Sequence, residues 1–306
     1  MKISIVTTLY RSTPYIEEFY DRISKAVNKI TDDYEIIFVN DGSPDDSVQK
    51  AFKIYEKDKK VKVIDLSRNF GHHKAAMTGL SYAKGEYIFM IDIDLEEDPE
   101  LINRFWDELI KSEDVDAIYG ILEERKGNWV KKFLGRFFYS IFNFLSDMKV
   151  PINFSFSHLL TRRYVNALLE FKEQEVFLGG IWSSVGFNQK SLIINKKSRD
   201  DTSYTFMKRL NLFVNAITSF SNKPLSYIFF IGSFMSFFSL LYVIYLITGK
   251  IFFNMGFTGY TTIVASIWLI GGIIIFCLGI IGIYLSKIFI ETKNRPYSIV
   301  KKVYSR

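Results

Sequence analysis

The sequence predicts an α/β domain with a mostly parallel sheet, followed by a hairpin of two transmembrane helices. Three observations carry that reading. Strand-like and helix-like patterns alternate through residues 1–120, two long stretches late in the chain hold no charge, and polar clusters fall where the predicted strands end. Strands alternating with helices of this length argue for parallel pairing with helices on both faces of the sheet. At about 100–200 residues per domain, 306 residues allow two or three structural units.

The elements follow in order. Ile3–Thr8 is a β-branched run and the first strand. Thr13 and Pro14 suit a helix start, since Pro is well placed at the first helical position, and this helix extends to about Ile30. Tyr34–Val39 is a second buried strand, ending in Asn40-Asp41-Gly42-Ser43-Pro44, a turn composition. A helix over Asp45–Lys57 leads to the strand Val61–Leu66, a helix over His72–Ala83 to the strand Tyr87–Ile91, and a helix over Pro99–Lys111 to the strand Val115–Ile121. In open α/β sheets ligands sit at the carboxyl ends of strands. Those ends carry Tyr10-Arg11, Asn40-Asp41-Gly42, Ser67-Arg68-Asn69 and Asp92-Ile93-Asp94.

Asp92 and Asp94 flank one residue directly after an apolar strand. In extended backbone such residues point to the same side, so both carboxylates can address one hard cation. Mg²⁺ prefers a few carboxylates together with phosphate oxygens. A solvated acidic turn is the other reading, because Glu96, Glu97, Asp98 and Glu100 follow. Glu96 and Glu97 suit the acidic first turn of a helix, and His72 and His73 serve a helix start.

From Leu225 to Gly249, and again from Phe257 to Ser286, the chain is uncharged. A transmembrane helix needs about 20 apolar residues at ~1.5 Å each to cross ~30 Å of hydrocarbon. Spans of about 225–248 and 260–286 satisfy this, within a hairpin region of 223–290. Lys208, Arg209 and Lys223 precede the first, and Lys287, Lys293, Arg295, Lys301, Lys302 and Arg306 follow the second against Glu291 alone. Lys250 is the single charge between them. Positive charge marks the cytoplasmic side, so both termini and the first 200 or so residues are expected in the cytoplasm of a multi-pass inner-membrane protein. Residues 291–306 read as a basic cytoplasmic tail. In the intervening region, 123–222, aromatics mixed with Lys131, Lys132 and Arg136 over Trp129–Leu145, and a similar stretch over Tyr204–Phe220, suit helices lying in the headgroup layer. Core helices with a solvated basic edge fit the same residues.

Composition excludes several classes. The lone Cys277 rules out an internal disulfide framework and a Cys-cluster metal site, and three histidines leave little room for a His-built zinc centre. With 48% hydrophobic and 24% charged residues the chain is neither disordered nor collagen-like. Its mean hydropathy of +0.09 averages over two unlike regions, and its isoelectric point near 9.0 suits an anionic lipid partner. No nucleic-acid recognition module is present.

The runs VNDGSPDDS at 39–47 and LSRNFGHHKAAMTGLSYAKGEYIFMIDIDLEEDPELI at 66–102, with the two C-terminal spans, resemble a family-2 glycosyltransferase. Within that group the chain is similar to the polyprenyl-phosphate glycosyltransferases, which include bactoprenol glucosyltransferases and dolichyl-phosphate mannose synthases. The resemblance covers nearly the whole chain. It implies a GT-A type nucleotide-sugar-binding core over 1–122, an acceptor region with interfacial amphipathic helices over 123–222, and a metal-dependent, inverting transfer of one sugar from a nucleotide diphosphate, UDP by resemblance, to undecaprenyl or another polyprenyl phosphate. The cofactor implied is Mg²⁺ or Mn²⁺, and the product would serve cell-envelope glycan modification through a flippase and a downstream glycosyltransferase. A homo-oligomer is implied as well.

Carried over by position, Thr8 and Tyr10 line the nucleotide pocket, Asp41 receives the nucleobase, and Arg68 lies in the nucleotide-side motif. Asp92 and Asp94 match the metal and diphosphate motif, and Arg125 a basic position near the acceptor phosphate. Relatives often carry Gly-Asp-Phe-Arg-Leu where this chain has Ser155, Phe156, Ser157, His158 and Leu159, and a lysine where it has Ser203. Phe156 thus replaces an acid and His158 an arginine; His158 either hydrogen-bonds the acceptor or is a buried structural residue. The chemistry tolerates the loss of the acid. A phosphate monoester has a second pKa near 6, so it is a ready nucleophile at neutral pH and needs little help from a general base. A membrane-tethered, non-catalytic nucleotide-sugar binder is the alternative reading.

Overall fold

All seven residues of β1 (Ile3–Leu9) and of β2 (Tyr34–Asn40) are buried, as strands covered on both faces must be. The computed structural model describes residues 2–122, 154–174, 176, 178–197, 218, 221, 223–253 and 259–305. After β1 come α1 (Ile16–Val27), β2, α2 (Ser47–Lys57), β3 (Val61–Leu66), α3 (His72–Tyr82), β4 (Tyr87–Met90), α4 (Leu101–Lys111) and β5 (Ala117–Leu122). These agree closely with the expected elements. β6 (Phe154–Thr161), α5 (Arg162–Leu169), α6 (Leu178–Ser184) and β7 (Gln189–Ile194) follow, then α7 (Lys223–Phe253), α8 (Tyr260–Thr292) and β8 (Val300–Tyr304).

The eight strands form one sheet in the order β7-β5-β6-β4-β1-β2-β3-β8. β1 pairs in parallel with β2 and β4, β2 with β3, and β5 with β7, whereas β6 runs antiparallel to β4 and β5, and β8 antiparallel to β3. The sheet is therefore mixed, with its parallel centre as expected. Side chains alternate between faces. Ile3, Ile5 and Leu9 of β1, with Phe89 of β4 and the following Ile91 and Ile93, pack with Phe19 and Ile23 of α1 and Phe105 of α4. Burying each such side chain contributes about 1.5–3 kcal/mol. The even-numbered residues of β1 and the odd-numbered residues of β2 face α3, where Gly79 lets the helix approach so closely that a Cβ there would lie 2.4 Å from Val6 Cγ1 and 2.8 Å from Val39 Cγ2.

Two findings differ from the sequence reading of the later chain. Region 123–222 contributes β6 and β7 to the sheet, and the tail expected to be a free basic segment forms β8. Val303 pairs with Ile64 and Lys302 with Asp65. Ser67 N–H donates to the Ile299 carbonyl at 2.9 Å, Thr78 Oγ1 and Ser298 Oγ lie 2.7 Å apart, and Tyr304 packs on Phe52 with ring centroids 4.9 Å apart. The expected interfacial helices at 129–145 and 204–220, apart from Thr218, lie outside the described residues, as does Arg125.

The chain divides into two units, one taking in the sheet and the chain from Arg295 onward, the other the described residues between Phe206 and Asn294. In the second unit α7 has 31 residues and α8 has 33. Among the described residues, one segment, Ile270–Thr292, is long and apolar enough to cross a membrane, with a mean hydropathy of 2.5 and no part of it buried. Phe229, Phe230 and Phe234 of α7 and Ile275, Phe276 and Leu278 of α8 are exposed. Tyr284 Oη donates to the Ser221 carbonyl at 2.6 Å.

Candidate active site

The site is built from the carboxyl ends of β1, β2, β3 and β4 and the N-terminus of α3. Register explains much of it. Val6 pairs with Met90, and the ladder runs on through Ile91 N–H to the Val6 carbonyl at 3.2 Å. Two residues further on, Thr8 and Asp92 are neighbours on the face that α3 covers. Phe156 approaches the same point from β6, because Met90 pairs with His158 in an antiparallel ladder.

At that point the α3 N-terminus places His72. Its Nδ1 lies 2.8 Å from Thr8 Oγ1, its Nε2 3.4 Å from Asp92 Oδ1, and its ring centroid 4.3 Å from that of Phe156. Burial, with smaller contributions from His73 and Lys196, pushes the His72 pKa down to about 4, so the ring is neutral at pH 7. His73 is also held below its ordinary value by burial, while its Nδ1 lies 3.2 Å from the Val176 carbonyl.

Burial pushes Asp92 up to about 7, with Asp94, Glu97 and Glu96 adding to the rise and Lys196 opposing it. Asp94 is raised by burial too, although its Oδ1 accepts from Glu96 N–H at 3.0 Å. The loop that follows is clamped from both sides. Arg22 of α1 grips Glu100 in bidentate fashion, at 2.9 and 2.6 Å, and Asp98 at 2.7 Å. From beyond β7, Lys196 pairs with Glu96 at 3.0 Å, Lys197 Nζ with Asp98 at 2.7 Å, and Lys197 N–H donates to the Glu96 carbonyl at 2.8 Å. Glu97 is buried and accepts from the hydroxyls of Ser155 and Ser157. It is thus anchored to β6 and is no simple acidic first turn.

The other strand ends frame the opposite side. Asp41 is buried, which raises its pKa, and its two carboxylate oxygens accept from Phe70 N–H at 2.7 Å and Gly71 N–H at 3.0 Å. It pins the β3–α3 loop while each oxygen keeps a further lone pair. Gly42 has φ +59°, and a Cβ there would lie 2.4 Å from the backbone C of Arg68. The Asp-Gly turn therefore lies directly on the Arg68-Asn69 backbone. Arg68 extends over the Phe70 ring at 4.1 Å, and Tyr10 is 47% exposed at the end of β1.

The structure thus gathers Thr8, Asp92 and Asp94 on one side and Asp41 and Arg68 on the other, with Tyr10 beyond β1. His158 does not join them. It is fully buried, stacked on Trp182 at 3.8 Å, with Nδ1 3.0 Å from the Phe156 carbonyl and a pKa pushed down to about 3 by burial. Of its two sequence readings, the buried structural one matches this position. Sequence reasoning gave His72 and Glu97 only local roles, at a helix start and in an acidic turn, and passed over Lys196 and Lys197. No local signal marks the lysines.

No three His, Cys, Asp or Glu side chains form a ready-made metal cage among the described residues. Lys196, Lys197 and Arg22 pair with Glu96, Asp98 and Glu100, while no cation pairs directly with Asp92 or Asp94 among the described residues. Two such carboxylates suit a hard cation that completes its shell with phosphate oxygens and water.

The family model described as glycosyl transferase family 2 matches residues 4–169, which span β1 to α5. The chain belongs to this family. A Mycobacterium tuberculosis protein that carries a glycosyltransferase name is 45% identical over 99% of this chain and 89% of its own length. The uncharacterized glycosyltransferase YkcC of Bacillus subtilis is 34% identical over 99% and 94%. The SfII prophage-derived bactoprenol glucosyl transferase of Shigella flexneri is 30% identical over 99% and 98%. Among solved structures, M. tuberculosis glucosyl-3-phosphoglycerate synthase superposes with a TM-score of 0.50 at 16% identity, over 74% of this glycosyltransferase and 80% of that chain. That likeness is one of fold, the GT-A-like α/β arrangement.

Proposed function

We propose that this glycosyltransferase moves one sugar, with inversion, from a UDP-sugar to undecaprenyl phosphate or a similar polyprenyl phosphate at the cytoplasmic face of the membrane. The observation that carries the reading is the pair of interacting carboxylates Asp92 and Asp94 just beyond the end of β4, with Asp92 linked to Thr8 through His72. The full-length similarity to a bactoprenol glucosyl transferase supports the lipid acceptor.

In the reaction a phosphate oxygen of the lipid attacks the anomeric carbon. The bond from that carbon to the nucleoside diphosphate breaks, and the diphosphate departs with the electron pair. Asp92 and Asp94 would hold Mg²⁺ or Mn²⁺, which supplies Lewis-acid stabilisation of the leaving diphosphate when bound. Thr8, Tyr10, Asp41 and Arg68 frame the nucleotide, Asp41 by fixing the loop that bears Arg68. Arg125 is assigned to the acceptor phosphate. Phe156 beside His72 gives the site an apolar wall. No carboxylate base is required, because the acceptor oxygen is already ionised at neutral pH.

Membrane placement rests on both long helices. The chain leaves the α/β domain before α7 and rejoins its sheet at β8 after α8, which supports an even number of crossings. A hairpin provides this, with α7 as the second span and the basic flanks in the cytoplasm. The lipid-linked sugar would then need a flippase and a second glycosyltransferase across the membrane, and the working enzyme is a homo-oligomer.

The deciding assay incubates membranes containing the full chain with radiolabelled UDP-sugars, undecaprenyl phosphate and Mn²⁺ or Mg²⁺. Butanol-extractable label, abolished by Asp94→Ala, is the expected result. Donor binding without lipid product across a broad donor panel would replace the enzyme reading with that of a binder.

A further inference from the structure

The mechanism above leaves His72 unused, although it stands where the ends of β1 and β4 meet. We infer that His72 is a positioning residue for Asp92, with Thr8 setting its tautomer. This rests on the reading of Asp92 as a cation ligand.

One hydrogen bond and one charge contact bear on the protonation pattern. A neutral imidazole carries one N–H and one acceptor nitrogen. Thr8 Oγ1 is 2.8 Å from Nδ1, and Asp92 Oδ1 is 3.4 Å from Nε2. If Nδ1 held the proton, the Nε2 lone pair would face a carboxylate oxygen. With the proton on Nε2, the Thr8 hydroxyl donates to Nδ1 and the Nε2–H lies beside Asp92, in a 3.4 Å contact longer than an ordinary hydrogen bond. With Asp92 ionised, as a cation ligand is, only the second pattern is attractive at both ends. The ring is held by the α3 backbone below it and by Phe156 at 4.3 Å beside it. An N–H directed at one carboxylate oxygen leaves the other free to address a cation. Outer partners that orient a ligand in this way are typically worth about 10–100-fold in metal affinity.

The test uses the full chain in lipid nanodiscs, with Mn²⁺ binding followed by electron paramagnetic resonance, with and without UDP. His72→Phe keeps the ring against Phe156 but removes both nitrogens; its Mn²⁺ affinity is expected to fall about 10–100-fold. His72→Gln, which can still direct an N–H at Asp92, should retain most of the affinity. Thr8→Val should weaken Mn²⁺ binding, and its effect should largely vanish in the His72→Phe background. Circular dichroism and thermal midpoints check that the variants fold. Wild-type Mn²⁺ affinity in a folded His72→Phe protein would overturn the positioning role alone. A wild-type protein that binds no Mn²⁺ in either condition would overturn the cation reading and this role with it.

Discussion

Asp92 is the residue at which stability and function conflict. Its folded pKa is pushed up to about 7, against 3.8 for the free side chain. A carboxyl raised in this way favours the folded state while protonated; that contribution is fully present below about pH 4 and is lost as pH rises through 7. Above that, the ionised group costs stability. Asp92→Asn is therefore expected to stabilise the metal-free protein at about pH 8 by roughly 1–3 kcal/mol after discounting for partial exposure, seen as a higher thermal midpoint, and by much less at about pH 5. The same variant should abolish transfer, and an unchanged midpoint at the higher pH would contradict the burial argument. Gly42 is the second sensitive position. Its φ of +59° and the 2.4 Å clearance to the Arg68 backbone leave no room for a methyl group. Gly42→Ala should cost about 1–3 kcal/mol and raise the donor KM, because the displaced backbone carries Arg68. Asp41, Asp92 and Asp94 stood out in the sequence because strand ends in a parallel sheet collect ligands, and Thr8 did so through the family resemblance alone. His72 did not, because its role depends on where α3 lands after a helix-start turn. His158 changed character for a similar reason: its burial comes from Trp182, 24 residues away.

At the scale of elements, the core strands and α1 to α4 followed from periodicity, with boundaries shifted by a few residues. β6, β7 and β8 were harder. They are short, and they enter the sheet through pairing with distant strands rather than through any local turn signal. β8 makes the most testable claim. It covers the β3 edge, pairs Lys301 with Asp65 at 3.6 Å and joins an aromatic cluster with Phe52 and Tyr55. Cross-strand pairs contribute roughly 0.2–1 kcal/mol each. A chain ending at Asn294 should lose at least about 2 kcal/mol, exchange amide hydrogens faster in β3 and associate through the opened edge. Unchanged exchange in β3 would mean that the tail strand contributes little. The tail also touches α3 through Thr78 and borders the loop bearing Arg68, so the same truncation is expected to raise the donor KM.

For the whole molecule, β8 ties the end of the chain to the sheet that begins it. On the proposed cytoplasmic placement of the sheet, a reporter fused after Arg306 should be active only in the cytoplasm, and activity on the other side would refute the proposed hairpin. At ~1.5 Å per residue, the 33 residues of α8 extend about 50 Å, more than the ~30 Å of hydrocarbon requires. The sequence by itself determined the α/β class, the order of the first strands and helices, the acidic pair and the apolar helices. Each of these is written in local periodicity, charge or spacing. Only the tertiary structure decided that the tail is a strand, that Glu97 belongs to β6 and that a histidine stands between Thr8 and Asp92. Those outcomes depend on contacts between residues far apart in the chain, and a pattern of neighbours carries no information about them.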